Sequence, residues 1–290
     1  MPAALAHALI LRRLRAPRLA HHQTPAELGL SAEPLRLAGA GGKSLFGWFV
    51  PPPVVGSPAP AVVLMHGWGA NAALMLPAVP PLHAAGFAVL LLDARCHGNS
   101  DDEDFTSMPR FAEDIATGLD WLGAQPGVDG SRLVLVGHSV GAAAALLAAT
   151  QRDDVRAVVS LSAFAHPAEL MRRWLSEKRL PWWPLGWAVA RHVQRIIGAR
   201  FDDIAPLATL PRVRCPVLLV HGLDDDTAPF ADAERLHAAS AGRAELLPVQ
   251  AGHDLGDALE PHAAAIVGFV LRALATVQAE DAQALRLGIK

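Results

Sequence analysis

The chain has 290 residues, 52% of them apolar and 18% charged, which is enough for one large core and too apolar for a disordered segment. Its 25 basic and 28 acidic residues leave a net charge of −3, and no basic tract interleaves with aromatics, so nucleic acid is excluded as an expected partner. Cys96 and Cys215 alone imply no disulfide framework, and the 13 histidines fall into no H-E-x-x-H or comparable spacing, so neither a metal nor another cofactor is expected.

At the N-terminus, Met1 to Leu11 is apolar and Arg12, Arg13, Arg15 and Arg18 follow, the reverse of the order in a secretory signal. A cytoplasmic location is expected, and abundant alanine beside few lysines fits a GC-rich bacterial coding sequence. The arginines break up the apolar positions on a helical wheel and leave no clean membrane-binding face, so residues 1–24 read as a helical extension lying on the domain of 25–290. From Pro34 onward, short β-rich runs alternate with longer helical patterns, the signature of βαβ units and a mainly parallel sheet flanked by helices. Strands at Pro34 to Ala38 and Ser44 to Val50, around Gly39-Ala40-Gly41-Gly42, predict an antiparallel hairpin at the sheet edge, which Pro51-Pro52-Pro53 ends.

Continuous apolar runs at Ala61 to Met65, Phe87 to Leu92, Leu133 to Val136, Ala157 to Leu161 and Val217 to Val220 predict buried strands, with another at Ala244 to Val249. Helices are predicted at Ser107 to Gly123, Val140 to Thr150, Pro229 to Ala241 and Pro261 to Val277. Residues 164–211, after the sixth strand, are too long for a crossover and read as a small helical cap; Trp174, Trp182, Trp183 and Trp187 lie within it.

Chemistry concentrates at three points. Gly137-His138-Ser139-Val140-Gly141 places G-x-S-x-G between an apolar strand and an Ala-rich helix, the context a nucleophile elbow requires. A serine hydroxyl is a poor nucleophile at neutral pH, so an imidazole must take its proton and a carboxylate must hold that imidazole in one tautomer. Asp224, Asp225 and Asp226 follow the strand Val217 to Val220, and His253 follows the strand Ala244 to Val249, giving the order Ser, Asp, His. His253 is favoured over His221 and His262 by its loop position. The oxyanion would be held by the Val140 N–H and by a donor of the loop His66 to Asn71, with Trp68 N–H the best placed and its indole walling the acyl pocket.

These segments are similar to those of α/β-hydrolases of the serine esterase, lipase and S33-like peptidase group, over roughly Pro25 to the C-terminus. His66-Gly67-Trp68-Gly69 resembles that family's His-Gly oxyanion segment, and Asp93 to Ser100 its D-x-R-G-H-G-x-S loop, with Cys96 where a glycine is usual. His221 to Pro229 resembles its H-G-x-x-D-x-x-V-P motif, and this resemblance selects Asp225 as the acid. It implies the α/β-hydrolase fold and hydrolysis of a carboxylic ester or thioester through an acyl-enzyme; the tryptophans and leucines of the cap would roof the site and favour an apolar acyl group.

Each residue has a plainer alternative. Ser139 would be an ordinary helix cap, Asp225 one of three solvated turn carboxylates, and Cys96 a small buried residue rather than a reactive thiol. His66, His97 and His138 read as structural, satisfied by neighbouring backbone, although His138 joins Trp68, Trp182, Trp183 and Trp187 as a candidate for the substrate pocket. An aminopeptidase or an acyltransferase would use the same triad, and a non-catalytic scaffold binding lipid or protein would use the fold alone. Amide turnover, acyl transfer to acceptors other than water, and silence toward a fluorophosphonate would separate these.

Overall fold

The computed structural model describes residues 2–13, 15–54 and 56–286. The outer residues of the expected extension and domain, Met1 and 287–290, lie outside the described residues. An apolar helix, α1 (Pro2–Arg13), is followed by an extended stretch to His22. The sheet begins with β1 (Glu33–Ala38) and β2 (Ser44–Val50), an antiparallel pair whose turn has Gly41 and Gly42 at positive φ. Next come β3 (Ala59–Met65), a helical stretch at 72–84 ending in α2 (Val79–Ala84), β4 (Ala88–Leu92), α3 (Met108–Gly123), β5 (Val128–His138), α4 (Val140–Ala149) and β6 (Val155–Leu161). Four helices, α5 (Pro167–Glu177), α6 (Trp187–Ile197), α7 (Phe201–Ile204) and α8 (Pro206–Thr209), then precede β7 (Val217–Gly222), α9 (Phe230–Ala239), β8 (Ala244–Val249) and α10 (Gly256–Arg286).

The eight strands form one sheet in the order β1-β2-β4-β3-β5-β6-β7-β8, parallel from β4 to β8. The central strands read as unbroken apolar runs because both faces are covered: alternate residues Val63 and Met65 join a core under α3 and α4, whereas Val62 and Leu64 join one with α2 and α10. At 19 residues the apolar stretch Ala258–Thr276 of α10 has the length and composition of a membrane span, but Ile266, Phe269, Val270, Ala273 and Leu274 are buried in the second core. Short loops after parallel strands gather at one edge, and Ser139, Asp225 and His253 all lie there.

Candidate active site

The elbow is built by exclusion of side chains. Ser139 sits at φ 52°, ψ −116° between β5 and α4, a conformation L residues avoid. A Cβ at Gly137 would collide with the Gly141 backbone, and one at Gly141 with the carbonyls of His66 and Met65, so both positions require glycine for strand and helix to approach. The Ser139 N–H donates to Leu161 O at 2.8 Å, tying the elbow to β6.

The structure brings the three sequence-derived residues into one chain of hydrogen bonds. Ser139 Oγ lies 2.9 Å from His253 Nε2, and His253 Nδ1 lies 2.8 Å from Asp225 Oδ2. With the carboxylate accepting from Nδ1–H, Nε2 is left as the acceptor for the serine proton. Asp225 is buried, and its Oδ1 accepts the N–H groups of Thr227 and Ala228 at 2.9 and 2.7 Å. Burial acts to raise its pKa, but the His253 hydrogen bond, the Ala228 amide and the two nearby imidazoles outweigh it and hold the carboxyl below its ordinary range. Asp224 and Asp226 are exposed, and Asp224 contacts Gln250. His262 bonds within α10 to Ala258 O. His221 donates to Ala228 O at 2.6 Å, closing the acid loop rather than serving as base.

The loop His66 to Asn71 lies against the elbow, since a Cβ at Gly67 would stand 2.9 Å from His138 Nδ1 and 3.2 Å from Ser139 Cβ. His97 Nδ1–H donates to Arg95 O, and its Nε2 accepts the Gly69 N–H at 3.0 Å, while His66 bridges Gly67 O and the Ala94 N–H. Burial foremost lowers the pKa of both imidazoles, of His66 to about 3, so they act as neutral struts. Among the described residues no protein acceptor takes the Trp68 N–H, and the Val140 N–H opens α4 without an intrahelical partner. The Trp68 indole is partly exposed, edge-on to His97 at 6.1 Å between ring centres.

His138 is a partial exception to the structural reading. Its Nε2–H donates to His253 O at 2.8 Å, which pins the base loop, but Nδ1 is buried without a partner. Burial drives its pKa down to about 4. Trp182 and Trp187 line a groove of about 680 Å³ with Arg191, Arg195 and Phe201, and no member of the Ser139, His253, Asp225 chain lines it. Trp183 is exposed and meets Trp187 at 5.3 Å.

Residues 15–22, expected as part of a helical extension, are not helical; they run over the loops beside the elbow. Pro17 approaches Gly69, Arg18 donates to the carbonyls of Gly98 and Ser100, and Asn71 Nδ2 donates to Leu19 O. His21 Nε2 lies 2.9 Å from buried Asp93, whose other contacts are the Ala72 and Asn99 amides. Cys96 adopts φ 68°, and its Sγ accepts the Glu103 N–H at 3.3 Å. Burial raises its thiol pKa, as for Cys215, which reaches about 12; both are unpaired, inert thiols at neutral pH.

A family model described as serine aminopeptidase, S33, matches residues 56–200, half of the chain. The chain belongs to this hydrolase family. An uncharacterized protein of Mycobacterium tuberculosis is 32% identical over 69% of this chain. The match spans 64% of that relative's length, under two thirds. The esterase Pf2001 of Pyrococcus furiosus superposes with a TM-score of 0.72 at 19% identity, covering 89% of this chain and 97% of that one. Est1E of Butyrivibrio proteoclasticus, solved with ferulic acid bound, gives 0.66 at 21% identity, covering 82% and 99%. Both likenesses establish the S33 chain as an α/β-hydrolase fold.

Proposed function

We propose that this hydrolase cleaves carboxylic esters or thioesters through a serine acyl-enzyme. The observation that carries the reading is the hydrogen-bonded series from Ser139 Oγ through His253 to buried Asp225, at 2.9 and 2.8 Å. Ser139 Oγ attacks the substrate carbonyl as His253 Nε2 takes its proton, and Asp225 stabilises the resulting imidazolium. The Trp68 and Val140 N–H groups receive the oxyanion. His253 then protonates the leaving alcohol or thiol, and water, deprotonated by the same imidazole, releases the acid. The esterase neighbours support this reaction class over the aminopeptidase, acyltransferase and non-catalytic alternatives. A cytoplasmic catalyst of small apolar-acyl substrates, with 164–211 acting as a cap and 1–24 as an extension, completes the reading.

Ser139→Ala should abolish p-nitrophenyl ester turnover and fluorophosphonate labelling while leaving thermal unfolding near wild type; His253→Ala should be equally inactive and His262→Ala active. Near wild-type turnover by Ser139→Ala would sink the mechanism.

A further inference from the structure

The helical insert carries an exposed surface whose groove is not lined by Ser139, His253 or Asp225. Helix α5 turns through residues 178–186 into α6, and this turn is held inward by Leu175, Gly186, Ala190 and Val193, all buried. Its outer side is apolar to an unusual degree. Trp174, Leu180, Trp183, Leu185 and Trp187 are each between 41% and 68% exposed. From Ser176 to Leu185 every residue except Trp182 is exposed, and Trp182 turns with Trp187 to the groove shared with Arg191 and Arg195.

The same segment is strongly basic. Arg172, Lys178, Arg179, Arg191 and Arg195 are exposed, and among the described residues no carboxylate pairs with any of them. Arg191 instead stacks over the Trp187 ring at 5.4 Å. The protein as a whole carries −3, so these cations stand out locally. Helix α1 packs on α6 through His7 and His192, whose ring nitrogens are 3.0 Å apart. It carries Leu5 and Leu9, four residues apart and both exposed on the side of α1 opposite His7, with Arg12 exposed beyond them.

We propose that this face docks on an anionic lipid bilayer. A soluble monomer gains nothing from several tryptophans and leucines held in water on one protrusion. Tryptophan settles at the headgroup boundary, and lysine or arginine beside it is drawn to acidic headgroups. A second copy of the chain is disfavoured by charge: an isologous contact would set these unpaired cations against their own equivalents. The exposed tryptophans and leucines of the insert turn, with unpaired cations beside them, fit a broad, deformable, negative surface. The insert follows β6 at the sheet edge that carries Ser139, so docking would bring this edge to the lipid.

Sedimentation of the whole protein with vesicles tests this without reference to chemistry at Ser139, and the Ser139→Ala variant serves equally. Vesicles of phosphatidylcholine with phosphatidylglycerol, seven to three, are compared with pure phosphatidylcholine at low and at half-molar salt. Binding should require phosphatidylglycerol, blue-shift the tryptophan emission and fall with salt. Each basic residue near such a surface contributes about fivefold to partitioning, about 1 kcal/mol. Arg172→Gln, Lys178→Gln, Arg191→Gln and Arg195→Gln together should therefore reduce partitioning at least about tenfold, and Trp183→Ser should weaken it with an intact fold by circular dichroism. Absence of binding to either vesicle, equal binding to both, or partitioning untouched by the four-residue variant would overturn the proposal. So would a concentration-dependent dimer that Trp183→Ser dissolves while vesicles bind neither form.

Discussion

Asp225→Asn isolates the one property of the carboxylate that the proposed mechanism needs. Oδ1 of Asp225 accepts two backbone N–H groups, from Thr227 and Ala228, so in the variant the amide oxygen must stay there; an NH₂ group facing two donors has nothing to offer them. The amide NH₂ is thereby aimed at His253 Nδ1, now 2.8 Å from a donor instead of an acceptor. The imidazole proton moves to Nε2, which points at Ser139 Oγ and can no longer accept its proton. Holding the wrong tautomer in an otherwise intact triad costs about 10⁴ in kcat, about 5 kcal/mol of barrier. Steady-state hydrolysis of a short p-nitrophenyl ester, with unfolding followed on the same samples, measures this directly. Asp224→Asn and Asp226→Asn alter exposed carboxylates and should stay within about threefold of wild type. Retention of more than about a tenth of turnover by Asp225→Asn, or an equal loss at Asp224, would refute the tautomer argument.

Stability should depend on pH through buried imidazoles. His66 and His138 have pKa values lowered to about 3 and about 4 in the fold, against 6.5 when unfolded, so their contribution is complete above pH 6.5 and is lost as pH falls toward those values. At pH 5 each should cost about 2 kcal/mol relative to pH 8, read as a lower urea midpoint; equal midpoints at the two pH values would show that these rings are not buried neutral. At Cys96, φ 68° penalises branching at Cβ, so Cys96→Val should lose about 2 kcal/mol while Cys96→Gly stays within about 1 kcal/mol of wild type. Equal thermal shifts for the two variants would count against strain in this loop.

The strands were readable because each central one is buried on both faces and so appears as an uninterrupted apolar run; Ser44–Val50 and Ala244–Val249 have the bounds their patterns predict. β5 begins at Val128, earlier than its apolar run, because Asp129, Ser131 and Arg132 extend it beyond the buried layer. The helical stretch 72–84 was hidden by Pro77, Pro80 and Pro81, which suppress helical propensity although tertiary packing buries Met75, Leu76, Val79 and Leu82. Ser139 and His253 were legible through their flanking elements, and Asp225 through family resemblance, its burial being invisible beside two identical neighbours. The destination of the cap tryptophans was not legible, because composition does not specify which cavity a side chain faces. Neither was the pairing of His21 with Asp93, which spans 72 residues of sequence without any local pattern.

The path of residues 15–22 has a consequence for how variation in this protein should be interpreted. Those residues supply no reacting atom, yet they fasten to Asn71 of the loop that carries Trp68 and to Asp93, Gly98 and Ser100 of the loop bonded to it. Under the proposed mechanism, turnover should therefore depend on amino-terminal integrity. A protease nick after Arg18, or a bulky fusion pulling on Leu19, would register as a loss of turnover with the nucleophile untouched. Substitutions at Arg18 or His21 would likewise be scored as defects of chemistry by any screen that reads product alone.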